Sequence, residues 1–277
     1  MDAHPSGVWS TLNELANENA AAGAIISVRN LKAGYGDEII LEGVSFDVRE
    51  GEVFAILGRS GCGKTTLFKT IIGLLPPERG EVIIDGDKVL PVAEGGSERV
   101  LRKIGVLFQS GALFSSMTLA ENVAFPLRQY TTLPERTIEQ LVILKLSQVG
   151  LTGCEKMLPL ELSGGMQKRA ALARAMALDP KILFFDEPSS GLDPVTSVEL
   201  DRTILEINRA LGTTMIIVTH ELSSIFAIAN RVIMLDGQEK RIIAEGKPEE
   251  LKERSDDPRV RDFFSRSAPL EEDKSQM

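Results

Sequence analysis

The chain has 277 residues, 43% of them apolar and 26% charged, enough to bury one large core or two small ones. Its formal net charge of −9 leaves no basic footprint for wrapping nucleic acid or lying on an anionic bilayer. Two cysteines, Cys62 and Cys154, with two histidines, His4 and His220, exclude a disulfide framework and a His/Cys metal centre, and the simplest compartment is a reducing cytoplasm.

Residues 1–24, with the run "NELANENAAAG", are polar and Ala-rich and read as a flexible tail. No Lys or Arg precedes Arg29 and no long apolar run is present there, so neither a secretory signal nor an organellar transit peptide is expected. No segment reaches the roughly 18 uninterrupted apolar residues of a membrane span, which leaves any membrane role to a partner. The folded domain is placed at 25–251. Its first segments, "AIISVRNL", "VSFDVREGE" and "EVIIDGDKV", are short β-like runs divided by Gly and charged turns, as in an antiparallel layer. By contrast "EVFAILG", "KILFFD", "TTMIIVTH" and "RVIMLD" are continuously apolar, which implies burial on both faces in a parallel sheet. Helical spacing is found over Leu67 to Leu75, Gln167 to Leu178 and Val195 to Leu211, and a mostly helical insert over about 111–165. The pattern is α/β with a small N-terminal antiparallel sheet. Residues 252–277 form a charged, Pro-punctuated extension in which Val260, Phe263 and Phe264 follow Pro258 at helical spacing. Such a helix covers either its own core or a second subunit.

The segment "GRSGCGKTT", Gly58 to Thr66, lies between a strand-like run and a helical one and matches the phosphate loop G-x-x-x-x-G-K-[ST]. Glycines let the backbone wrap a phosphate, successive N–H groups form an anion nest, Lys64 reaches the β/γ-phosphates and Thr65 offers a hydroxyl to Mg²⁺. The nest also places Cys62 beside a helix N-terminus, which predicts a stabilised thiolate and ATP-protected alkylation. A nucleotide hydrolase needs a further Mg²⁺ anchor and a group that activates water. "ILFFDEP" supplies both, with Asp186 at the strand end for the metal and Glu187 as general base. His220 ends another apolar run, at the sheet edge where ligands of open α/β folds sit, and suits a contact to the γ-phosphate. Gln109 follows "GVLF" and is placed to meet Mg²⁺ or the attacking water.

One anion-binding signature is then left without a ligand. In "LSGGMQKR", Ser163, Gly164 and Gly165 open a helix whose N–H groups favour negative charge. A second copy of the chain resolves this: across a twofold axis each copy offers the segment to the other's nucleotide.

Together these residues resemble the ATPase subunit of ABC transporters, over Ile25 to about Leu251. The resemblance implies a P-loop NTPase of the ABC ATPase type, with a RecA-like parallel-sheet core, an N-terminal antiparallel β-subdomain and an inserted helical subdomain. It also implies ATP and Mg²⁺ as ligands. Tyr35 matches the aromatic that stacks on adenine, and Gly58, Arg59, Ser60, Gly61, Cys62, Gly63, Lys64, Thr65 and Thr66 match the phosphate loop. Gln109 matches the Q-loop, Leu162 to Gln167 the signature, Asp186 and Glu187 the Walker B pair, Ser190 to Asp193 the D-loop and His220 the switch histidine. Met166 departs from the Gln that many members carry, but backbone amides and Ser163 do the phosphate binding there. The wording of "FQSGALFSSMTLAENVAFPL" and "ELSGGMQKRAALARAMALDP" closely resembles the ATPase of Mla/MCE-type phospholipid transport systems, and "DPRVRDFF" also looks like that group. That likeness implies an integral-membrane permease dimer and an MCE lipid-binding protein as partners, at the cytoplasmic face of the inner membrane. Leu113, Phe114 and Phe125, in the segment after the Q-loop, are the expected apolar contacts to the permease. An importer of a small polar solute such as an amino acid is the alternative within the class. A DNA-repair or chromosome-organising ATPase fits less well, since there is one phosphate loop, no long heptad segment and an acidic balance.

Overall fold

The computed structural model describes residues 23–265. Strands β1 (Ala24–Tyr35) and β2 (Glu38–Arg49) form a long antiparallel hairpin, extended by β4 (Arg79–Ile84) and the short β5 (Asp87–Lys88) in the order β2-β1-β4-β5. The larger sheet runs β10-β9-β3-β8-β7-β6, from β3 (Val53–Gly58), β6 (Ile104–Leu107), β7 (Ile182–Asp186), β8 (Thr214–Val218), β9 (Arg231–Asp236) and β10 (Arg241–Gly246). Its strands pair in parallel except for β10 on β9. Every residue of β3 and β8 is buried, as their continuous apolarity requires. Strand β10 has no such signal. Its "RIIAEG" is half-buried on an edge, and the sequence analysis did not place it.

Between the two sheets lies α1 (Lys64–Ile71), where Phe68 meets Phe184 edge to face at 6.1 Å. Phe46 and Phe54 stack at 5.4 Å across the sheets, and Arg231 caps Phe54 while pairing with Glu52. A four-residue helix, α2 (Glu98–Leu101), precedes β6. The insert contributes α3 (Leu119–Tyr130) and α4 (Glu135–Gln148), packed on α5 (Gly164–Ala175). A Thr118/Glu121 capping box opens α3, and buried Asn122 bonds the backbone of Phe114, Met117 and Thr118, so the loop before the helix is held by its own first turn. Helix α6 (Pro194–Leu211) starts from an Asp193 cap, followed by α7 (Leu222–Ile228) and α8 (Pro248–Arg254). Among the described residues no helix is long and apolar enough to cross a membrane.

Two helices start earlier than their periodicity predicts: α1 at Lys64 rather than Leu67, and α5 at Gly164 rather than Gln167. Both begin on glycine-rich turns that a propensity reading treats as breakers. The last helix, α9 (Pro258–Ser265), covers its own chain. Val260 and Phe264 are buried with Leu57, Leu222 and Met234, and Phe264 meets Phe226 at 5.8 Å. Phe264→Ala is therefore expected to cost about 3–5 kcal/mol, the usual range for an aromatic removed from a core. A urea midpoint equal to the parent's would show that α9 is not docked.

Candidate functional site

The parallel register lines up the carboxyl ends of β3, β8, β7 and β6. Ile56 pairs with Val218, Val218 with Asp186, and Phe185 with Leu107. The residues that follow these ends meet in one cleft of about 650 Å³, lined by Gly58, Arg59, Ser60, Gly61, Gly63, Lys64, Thr65, Thr66, Gln109, Asp186, Glu187 and His220. Ile40, not singled out from the sequence, and Phe263, read there only as an apolar position of the C-terminal helix, complete its wall.

The loop after β3 is shaped by glycines for a steric reason. Gly63 has φ +102 and begins α1; a Cβ there would come within 2.8 Å of Leu41. Lys64 is buried, and its Nζ donates to the carbonyls of Gly58 at 2.8 Å and Arg59 at 3.2 Å. The result is a backbone cradle with a fixed cation beside it, open to a phosphate chain.

Opposite the loop, Glu187 has φ +47, a left-handed conformation that a glutamate rarely adopts, and its N–H donates to Val218 O at 2.8 Å. His220 Nδ1 lies 2.9 Å from both carboxylate oxygens of Glu187, with its hydrogen bond to Oε1. A carboxylate that lines the cleft and is braced by a single imidazole suits a water-activating base. Burial, and then the neighbouring Glu187 charge, push the Asp186 carboxyl above the usual aspartate range. A divalent cation would relieve both effects, so Asp186 with the Thr65 hydroxyl fits Mg²⁺ held partly by the nucleotide's own oxygens. Gln109 borders the same space, but its Nε2 donates to Ser190 Oγ at 3.1 Å.

Five of the residues expected at the nucleotide stand outside the cleft, and Cys62 inside the loop does not line it. Tyr35 sits at the β1–β2 turn, 49% exposed. Ser163 caps α5, its Oγ accepting from Met166 N at 3.3 Å, and Gly164 and Gly165 follow in the first turn. A Cβ at Gly165 would come within 2.2 Å of Thr196, whereas one at Gly164 would meet Leu192 at an ordinary 3.4 Å. Asp193 spends both oxygens on its own helix, taking Val195 N, Thr196 N and the Thr196 hydroxyl; that hydroxyl bond, first among them, holds its carboxyl below the usual range. Cys62 corrects the sequence expectation outright. It is 3% exposed, and burial raises its thiol above the ordinary cysteine value despite the nearby Lys64 charge. Burial outweighs the helix N-terminus. Cys62 in the folded chain is therefore expected to alkylate much more slowly than a free cysteine at pH 8, as followed by mass mapping; rapid, ATP-protected labelling would contradict this placement.

A glycine cradle with its lysine, a carboxylate pair at a strand end and a histidine on the adjacent strand, all at the carboxyl edge of a parallel sheet, define a P-loop nucleotide hydrolase. The family model for ABC transporters matches residues 41–190. The chain belongs to that family, as an ABC-type ATPase. It is 44% identical over 240 residues to the intermembrane phospholipid transport system ATP-binding protein MlaF of Haemophilus influenzae, covering 87% of this chain and 90% of that one. The Escherichia coli MlaF is 41% identical, with coverages of 87% and 88%. A Mycobacterium tuberculosis protein described as a probable ribonucleotide transport ATP-binding protein, mkl, is 42% identical over 262 residues, 95% of this chain and 72% of that one. Among solved structures, cbiO1 of Clostridium perfringens, part of the cbiONQ ABC transporter complex, has a TM-score of 0.75 at 32% identity, covering 82% of this chain and 90% of that one. A bacterial ABC transporter cassette solved as a dimer has a TM-score of 0.71 at 32% identity, with coverages of 80% and 98%. The same cassette is described as dimeric in a post-hydrolysis state bound to ADP and Pi.

Proposed function

We propose that two copies of this chain close on two ATP molecules and drive an integral-membrane permease dimer that moves phospholipids between membranes, from the cytoplasmic face of the inner membrane and together with an MCE lipid-binding protein. The 44% identity across nearly the whole chain to a protein named for intermembrane phospholipid transport carries the cargo reading. The loop amides and Lys64 grip the phosphates, Tyr35 stacks on the base, and Ser163, Gly164 and Gly165 of the other copy close over the γ-phosphate. The Glu187 carboxylate takes the proton of the attacking water, while His220, hydrogen-bonded to it, orients that carboxylate and faces the γ-phosphate. Mg²⁺ at Thr65, Asp186 and Gln109 would neutralise charge developing on the phosphates.

The permease contact is placed at the loop after β6. Phe114 and Phe125 are 43% and 41% exposed with ring centroids 5.1 Å apart, an apolar pair on the surface of the insert. Leu113 packs instead on the core of the insert. Phe114→Ala with Phe125→Ala is expected to keep ATP binding and to abolish ATP-driven transport in the reconstituted complex; transport at the parent rate would remove the pair from the contact.

The relative named for ribonucleotide transport, 42% identical over 95% of the chain, favours a second reading, an importer of a polar solute. Reconstitution with the permease in vesicles separates them. ATP-dependent movement of a fluorescent phospholipid supports the first reading, and uptake of a ribonucleotide with no lipid movement supports the second.

A further inference from the structure

The signature helix α5 does more in its own chain than present Ser163. Lys168, five residues after Ser163, is only 7% exposed, and its Nζ donates to the backbone carbonyl of Gln109 at 2.5 Å. Among the described residues it has no carboxylate at ion-pair distance; burial pulls its basicity down, and the charges of Asp186 and Glu187 offset part of this. A buried ammonium kept for one carbonyl is costly unless that carbonyl matters. Further along the same helix, Arg174 donates to Ala112 O at 2.7 Å and Gly111 O at 3.0 Å, and its guanidinium lies 5.7 Å from the Phe114 ring. Gly111 and Ala112 both have positive φ, +72 and +51, so the backbone is bent in the stretch whose carbonyls α5 holds. Three carbonyls of the stretch 109–112 are thus held by one rigid helix about 18 Å long, at 1.5 Å per residue.

We propose that Lys168 and Arg174 are positioning residues that make the loop after β6 move with α5, so that docking of the other copy's phosphate at Ser163 is transmitted to Gln109 in this copy's own nucleotide site and to Phe114. The inference rests on the two-copy reading above. Each protomer's α5 then serves both sites, its N-terminus the other copy's and Lys168 its own, and the two sites are coupled without direct contact between nucleotides. The required two-state element is the 109–112 stretch, whose arrangement both sites bias.

In the full chain, Lys168→Met, similar in length but without a donor, is expected to lower kcat about tenfold while leaving KM for ATP within about twofold, the pattern of an interaction used in turnover rather than in binding. The Hill coefficient for ATP should fall from near about 2 towards about 1. Lys168→Arg keeps a donor and should recover most of kcat and the cooperativity. Unchanged kcat and cooperativity in Lys168→Met, or no recovery in a folded Lys168→Arg, would overturn the proposal. Hydrogen exchange supplies a test that leaves Lys168 in place. In Glu187→Gln, Mg²⁺ and ATP should protect amides 110–113, and adding Ser163→Arg should remove that protection although nucleotide still fills each chain's own loop. Equal protection in both would overturn the clasp. Light scattering of Glu187→Gln with ATP separates the two levels: no ATP-driven dimer would overturn the two-copy reading and the clasp with it, whereas a dimer with unprotected 110–113 would overturn the clasp alone.

Discussion

Glu187→Gln is expected to bind ATP about as well as the parent and to hydrolyse it about 10² to 10⁴ times more slowly, the contribution of a positioned general base. The amide keeps the shape of the carboxylate, and its carbonyl oxygen can still meet His220 where Oε1 now lies 2.9 Å from Nδ1. What it loses is the ability of the carboxylate to take a proton from water. The left-handed backbone at Glu187 is held by its N–H bond to Val218, so the substitution should not relax the turn. Single-turnover hydrolysis beside equilibrium nucleotide binding checks this. A rate within a few-fold of the parent would remove Glu187 from the chemistry and return the question to His220.

Ser163→Arg is expected to abolish hydrolysis while each chain still binds nucleotide in its own cleft. Within the chain Ser163 only caps α5, and loss of such a cap costs about 1 kcal/mol, too little to unfold a domain of this size. Its distance from the nucleotide cleft of its own chain means that a cis account predicts little effect on turnover. The trans account predicts that a long cation and lost N–H access at the mouth of α5 block closure on the other copy's phosphate. Steady-state hydrolysis measured beside the melting temperature distinguishes the two. Parent-like turnover in a folded Ser163→Arg would leave the signature without a role at phosphate.

The strands that carry the site were legible because each is apolar on both faces, and the polar residues ending them, Gly58, Asp186 and His220, stand out against those runs. The phosphate loop was legible because its geometry is local. The earlier start of α5 was not: Gly164 and Gly165 count against a helix in propensity, and only the crowding by Thr196 shows why glycine is needed at Gly165. Cys62 was misjudged because a helix N-terminus is visible in sequence and the burial that opposes it is not. Lys168 and Ile40 meet the site through tertiary contacts distant in the chain, with no spacing to announce them, while Phe263 and Ser190 stood out only as part of the C-terminal helix and the D-loop. Tyr35 and Ser163 were read as nucleotide ligands, and the single chain leaves both outside the cleft, Tyr35 at the β1–β2 turn and Ser163 at the head of α5.

Crosslinking between copies tests that completion most directly. In a Glu187→Gln background with Cys62→Ala and Cys154→Ala, one tagged chain carries Ser163→Cys and a differently tagged chain carries Ser60→Cys, so a bifunctional maleimide can join them only from one molecule to the other. A product containing both tags, formed with Mg²⁺ and ATP and lost without nucleotide, is predicted. No mixed product at ATP concentrations that fill the cleft would contradict a nucleotide site shared between two copies.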